Sequence, residues 1–106
     1  MKSFPPPPYK VELLQAAQAE VRRCLGEAQR LGMGRDYVAT MRRIYDHLTT
    51  APHTWGEPSR RYRAAKLVLR KMICDRILVV FAVHEEEPVV FVKECRPIQG
   101  HPLQSA

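Results

Sequence analysis

The stretch 66-KLVLRKMICDRILVVF-81 sets four basic side chains, Lys66, Arg70, Lys71 and Arg76, into an almost unbroken apolar run. Leu67 and Leu69 fall on one face of an extended chain, and Lys66, Val68 and Arg70 fall on the other, because strand side chains alternate. Residues 71–75 read as a turn or irregular hairpin. Beyond them Ile77, Val79, Phe81 and Val83 alternate with Leu78, Val80, Ala82 and His84. Both sets are apolar, which predicts a central strand covered on both sides. Glu85 to Pro88 turns the chain, and Val89 to Cys95 reads as a further strand. Pro97 and Pro102 limit regular structure in the last ten residues.

Working outward, 51-APHTWGEPSRRY-62 reads as a loop punctuated by Gly56 and Pro58, with Trp55 as an anchor on the edge of the core ahead of the alternative, an exposed stacking platform. Before it the apolar period is that of a helix. Leu14, Ala17, Val21, Leu25, Ala28 and Leu31 recur three or four apart and mark one face of a helix over 14–31. Gly32 and Gly34 stop it, and Asp36 suits the N-cap of a second helix. That helix has an apolar stripe of Tyr37, Val38, Met41, Ile44, Tyr45 and Leu48, and Pro52 blocks its continuation. Tyr9, Val11 and Leu13 alternate with Lys10 and Glu12, a short strand signal. The expected architecture is α+β: a helical hairpin packed on a curved, mostly antiparallel sheet of about four strands. The domain spans residues 9–98, between a proline-rich N-terminal tail (1–8) and a C-terminal tail (99–106).

The chain has 106 residues, 45% of them hydrophobic and 26% charged, which fits one folded domain with a modest core. Its formal net charge of +6 favours anionic partners. Seven basic residues and one acid lie between Arg60 and Arg76, so the positive charge is banded. Cys24, Cys74 and Cys95 are an odd, widely spaced set, a poor disulfide framework. The four histidines, at 47, 53, 84 and 101, show no metal-ligand spacing, and no metal or other cofactor is expected. MKSFPPPPYK has no apolar stretch of the kind a signal peptide needs, and no run approaches the roughly 18 apolar residues of a membrane span. A cytoplasmic protein without membrane contact is the expectation.

The order of these elements, the phrase P-x-x-W-G-E-P over 52–58, then K-L-V-L-R, D-R-I-L-V-V-F-A-V and V-V-F-V-K-E-C-R resemble the RelE/ParE toxins of bacterial toxin–antitoxin pairs. The resemblance implies a cognate antitoxin protein as partner, and it divides in two. The RelE-like branch implies an endoribonuclease that cleaves messenger RNA on the ribosome. The ParE-like branch implies a toxin that binds DNA gyrase without cleaving RNA. A chain that keeps only the fold, as an interaction module, is the remaining alternative.

Carried over residue by residue, the RelE-like catalytic set falls on Lys66, Arg76 and Arg96, with His101 in the place of a terminal tyrosine. A second lysine of that set is replaced by Val68, and no tyrosine follows Tyr62. The implied reaction is metal-independent. The RNA 2′-hydroxyl attacks the adjacent phosphorus, so the site must supply a base, an acid and cationic donors for the phosphorane oxygens. His101 has a suitable pKa by type, whereas Lys66 needs neighbouring cations to depress its own. Arg60, Arg61, Arg63, Arg70 and Lys71 are the candidate RNA-binding residues. The nuclease reading requires Lys66, Arg76 and Arg96 to gather around one phosphate. Glu94 is a candidate ion-pair partner for Arg96, and Cys95 a candidate core residue.

Overall fold

In the computed structural model, which describes residues 4–104, the chain folds as α+β, with two helices packed on one five-stranded mixed sheet. Strand β1 (Lys10–Leu13) leads into α1 (Gln15–Arg30) and α2 (Gly34–Thr50). A single 3₁₀ turn, Pro52–Thr54, then delivers the chain to β2 (Glu57–Tyr62), β3 (Leu67–Cys74), β4 (Ile77–His84) and β5 (Val89–Pro97). The strand order is β1-β5-β4-β3-β2, with β1 parallel to β5 and the other pairings antiparallel. The sheet is open, with β1 and β2 as its edges, and is neither curled nor barrel-like, which corrects the expected curvature. Residues 1–3 and 105–106, parts of the two expected tails, lie outside the described residues.

The fifth strand comes from β2, inside the expected loop. All six of its residues are exposed and it contains Pro58, so it carries no apolar alternation to announce it. An edge strand rich in arginine, with a register break between Pro58 and Arg60, resists pairing with foreign strands. The turn expected over 71–75 is also displaced. Strand β3 continues to Cys74, which pairs with Ile77, and the turn is the two residues Asp75 and Arg76. Both adopt positive φ, +50° and +62°, as a tight two-residue hairpin requires. Arg76 therefore lies in the turn and does not open β4. Helix α2 starts at Gly34; Asp36 lies in its first turn, not at its N-cap.

The core lies between the helices and one face of the sheet. Ile77, Val79, Phe81 and Val83 of β4 are all at most 2% exposed and pack with Ala17, Cys24 and Ala28 of α1 and Tyr37, Ile44 and Leu48 of α2. Small residues on α1 let that helix lie close on β5. A bulge in β5 decides the fate of Cys95. Val80 pairs with Glu94 but Phe81 pairs with Val92, so Lys93 is left over. Strict alternation from Val90 and Val92 would turn Cys95 outward; the extra residue turns it in, where it is 4% exposed beside Met41.

Both ends of the described residues dock on this core. Phe4 stacks on His53 at 5.0 Å, and the Tyr9 hydroxyl donates to Pro5 O at 2.6 Å. Leu103 is 1% exposed, and Arg23 holds its carbonyl at 2.8 Å while donating two further bonds to Glu20. Among the described residues, 98–104 form no helix or strand, yet they supply a core side chain.

Candidate functional site: the basic sheet and the apolar helix-side groove

Lys66 and Arg76 stand at opposite ends of the β3–β4 hairpin. Leu67 pairs with His84 at one end and Cys74 with Ile77 at the other. Eight residues of strand separate them by about 25 Å, well beyond the reach of two side chains. The expected gathering of Lys66 with Arg76 and Arg96 is thus corrected. Lys66 pairs with Glu86 at 2.7 Å, and that bond raises its pKa, the reverse of what a general base needs.

Arg76, Arg96 and His101 do lie at one end of the sheet. Arg76 O accepts from Ile98 N at 3.0 Å, and the Arg76 guanidinium donates to Gly100 O at 3.3 Å. Burial, and then the Arg76 charge, lower the pKa of His101. Its Nδ1 accepts from Leu103 N at 3.0 Å, so that nitrogen is committed to the backbone. Arg96 Nε donates to Glu94 at 3.2 Å, the pairing expected from sequence.

The candidate RNA-binding residues divide between the two faces of the sheet. Arg70 donates to Trp55 O and Gly56 O at 2.8 and 2.7 Å, and so fastens the loop before β2. Arg61 makes a two-pronged pair with Glu85 at 2.8 and 2.7 Å. Arg60 lies over the Tyr62 ring, 5.1 Å from its centroid. Arg63 is exposed in the β2–β3 turn, and Lys71 is exposed on β3. Trp55 is an anchor as expected, 8% exposed, stacked on His47 at 4.7 Å and tilted against Phe81.

An apolar concavity lies on the helix side. A groove of about 390 Å³ runs between α1, α2 and the β1–β5 edge, lined by Val11, Leu13, Leu25, Val38, Met41 and Tyr45 among others. Arg42 and Asp46 are its charged members. It continues past Leu25 and Val38 toward Gly34 and Arg35. Val38 and Tyr45 are 37% and 56% exposed on its lip. The sequence placed both in the α2 apolar stripe with Tyr37, Ile44 and Leu48. That stripe is wider than the sheet can cover, which was the available signal for the groove. Among the described residues, no group of three or more His, Cys, Asp or Glu side chains is placed to hold a metal ion, and no helix is long and apolar enough to cross a membrane.

No protein-family model matches the sequence, and no curated protein matches it. Among solved structures, a chain of the chromosomal ParDE TA system from P. aeruginosa superposes with a TM-score of 0.60 over 87% of this chain and 98% of that one, at 9% identity. The fold is that of a ParDE-system chain. At so low an identity the likeness speaks for the fold alone. The likeness leaves the chemistry of the site to this chain's own residues.

Proposed function

We propose that this chain is the toxin member of a bacterial toxin–antitoxin pair and acts by binding a protein target, as ParE-like toxins do on DNA gyrase, rather than by cutting RNA. The groove carries the proposal. A continuous apolar channel flanked by exposed Val38 and Tyr45 suits the apolar face of an antitoxin helix, which would bury those side chains. The likeness to a ParDE-system chain supports the same partner. Against RNA cleavage stand the distance between Lys66 and Arg76, the raised pKa of Lys66 and the backbone bond to His101 Nδ1. Positive charge alone then serves for contact with an acidic protein surface.

Induced expression in bacteria tests this reading. Growth arrest with DNA breaks and intact transcripts is expected, relieved by a small protein encoded beside the chain. Tyr45→Asp should keep the arrest and lose the relief. Transcripts cut at defined positions in an Arg76-dependent way would overturn the proposal in favour of the ribonuclease, with Arg76, Arg96 and His101 as its site. Absence of any growth effect would leave an interaction module.

A further inference from the structure

Strand β4 is apolar on both faces, but the helices cover only one. On the other lie Leu78 and Ala82, both half-buried, and Val80, 3% exposed, flanked by the half-buried Leu69 and Phe91 and by Ile73 of β3. Ile73 is 54% exposed. A strand with one solvated face ordinarily alternates apolar and polar residues, and β4 does not.

The strand register arranges this face in rows. One runs Arg60, Leu69, Ala82, Phe91, Glu12, from β2 to β1. It is cationic at one end, anionic at the other and apolar between. The next runs Glu57, Lys71, Val80, Glu94, and a third Ile73, Leu78, Arg96. A twofold axis lying along β4, in the plane of contact, turns a second copy face to face with the first. Each row then meets itself reversed: Arg60 over Glu12, Leu69 over Phe91, Lys71 over Glu94 and Ile73 over the aliphatic stem of Arg96, each twice. That is the self-complementarity an isologous interface demands. Facing sheets also pack within about 30° of alignment, so the central rows stay in register despite twist.

We propose that the open sheet face is a homodimer interface, occupied by a second copy of this chain related by a twofold axis along β4. Five strands at about 4.8 Å spacing, the edges shorter, and about eight residues at 3.3 Å each cover roughly 550 Å² per copy. Two copies bury about 1,100 Å², just above the roughly 1,000 Å² of a specific interface. An interface of that size suits a weak, reversible dimer. This surface is on the far side of the sheet from the groove, and the inference does not rest on the toxin reading.

Sedimentation of the purified chain from low micromolar to millimolar concentration is the test. The mass should rise from 12.2 kDa toward twice that value. Ile73→Lys, at a position already half exposed, should keep the circular dichroism of the parent and weaken association at least tenfold. Lys71→Glu and Glu94→Lys should each weaken it, and the double exchange should recover most of the loss. Tyr45→Lys, on the groove side, should leave it unchanged. A parent that stays monomeric throughout, or that binds only a different protein on this face, overturns the proposal. So does association that survives Ile73→Lys, is lost with Tyr45→Lys, or is not recovered by the double exchange.

Discussion

Gly56 and Gly26 offer the same substitution with opposite expected signs. Gly56 has φ +73°, and a Cβ there would sit 2.9 Å from the Lys71 carbonyl carbon and 3.0 Å from Met72 Cβ, with the Lys71 oxygen closer still. An alanine costs about 1–2 kcal/mol for the left-handed backbone alone. The strand β3 backbone must then move, which loosens the grip of Arg70 on Trp55 O and Gly56 O. Hydrogen bonds from a charged group contribute about 1.5–3 kcal/mol each, so losing one brings the total to about 3–5 kcal/mol. At about 4 °C or more per kcal/mol in a domain of this size, Gly56→Ala should lower Tm by at least about 12 °C. Gly26, in the middle of α1, has nothing within 4 Å of its Cβ position. Alanine there should raise stability by about 0.5–1 kcal/mol. The loss of unfolded-state freedom is common to both variants, so their difference isolates the native-state effect. Thermal and urea unfolding followed by circular dichroism measure both. A Gly56→Ala loss under about 1 kcal/mol, or a destabilising Gly26→Ala, would refute the placement of these backbones.

Leu103→Ala should cost about 2–4 kcal/mol in urea unfolding, because the side chain is core despite its place in a proline-flanked tail. Burial raises the pKa of Cys24 and pushes that of Cys95 up to about 12, so iodoacetamide at about pH 8 should leave both unmodified in the native chain and label all three cysteines in denaturant. His101 has a folded-state pKa below its usual value, so the fold favours the neutral ring. That contribution is complete above the usual pKa of about 6.5 and is lost as pH falls through the folded-state value. Urea midpoints between about pH 7.5 and pH 5 should fall less for His101→Ala than for the parent.

Much of the fold was legible because apolar period is a direct consequence of burial. The α1 and α2 stripes and the two-faced β4 pattern named the helices and the central strand. Strand β2 was not legible, since an edge strand exposed on both faces has no burial to record. The β3–β4 turn was misplaced because Asp75 and Arg76 lack the glycine that normally marks positive φ. Of the candidate site, the Glu94–Arg96 pair and the Trp55 anchor were visible from local spacing. The groove was visible only as an α2 stripe with two apolar residues to spare.

Sequence by itself determined the element types, the α+β class, the positive charge and the apolar character of both faces of β4, because each depends on neighbours along the chain. Tertiary structure alone decided where the cations stand. Strand β3 is extended over its full length between them, so Lys66, ahead of it, and Arg76, in the turn beyond it, are separated instead of gathered. It also decided, through one surplus residue in β5, that Cys95 faces inward. Registers between strands are set by packing across the sheet, and no single strand carries that information.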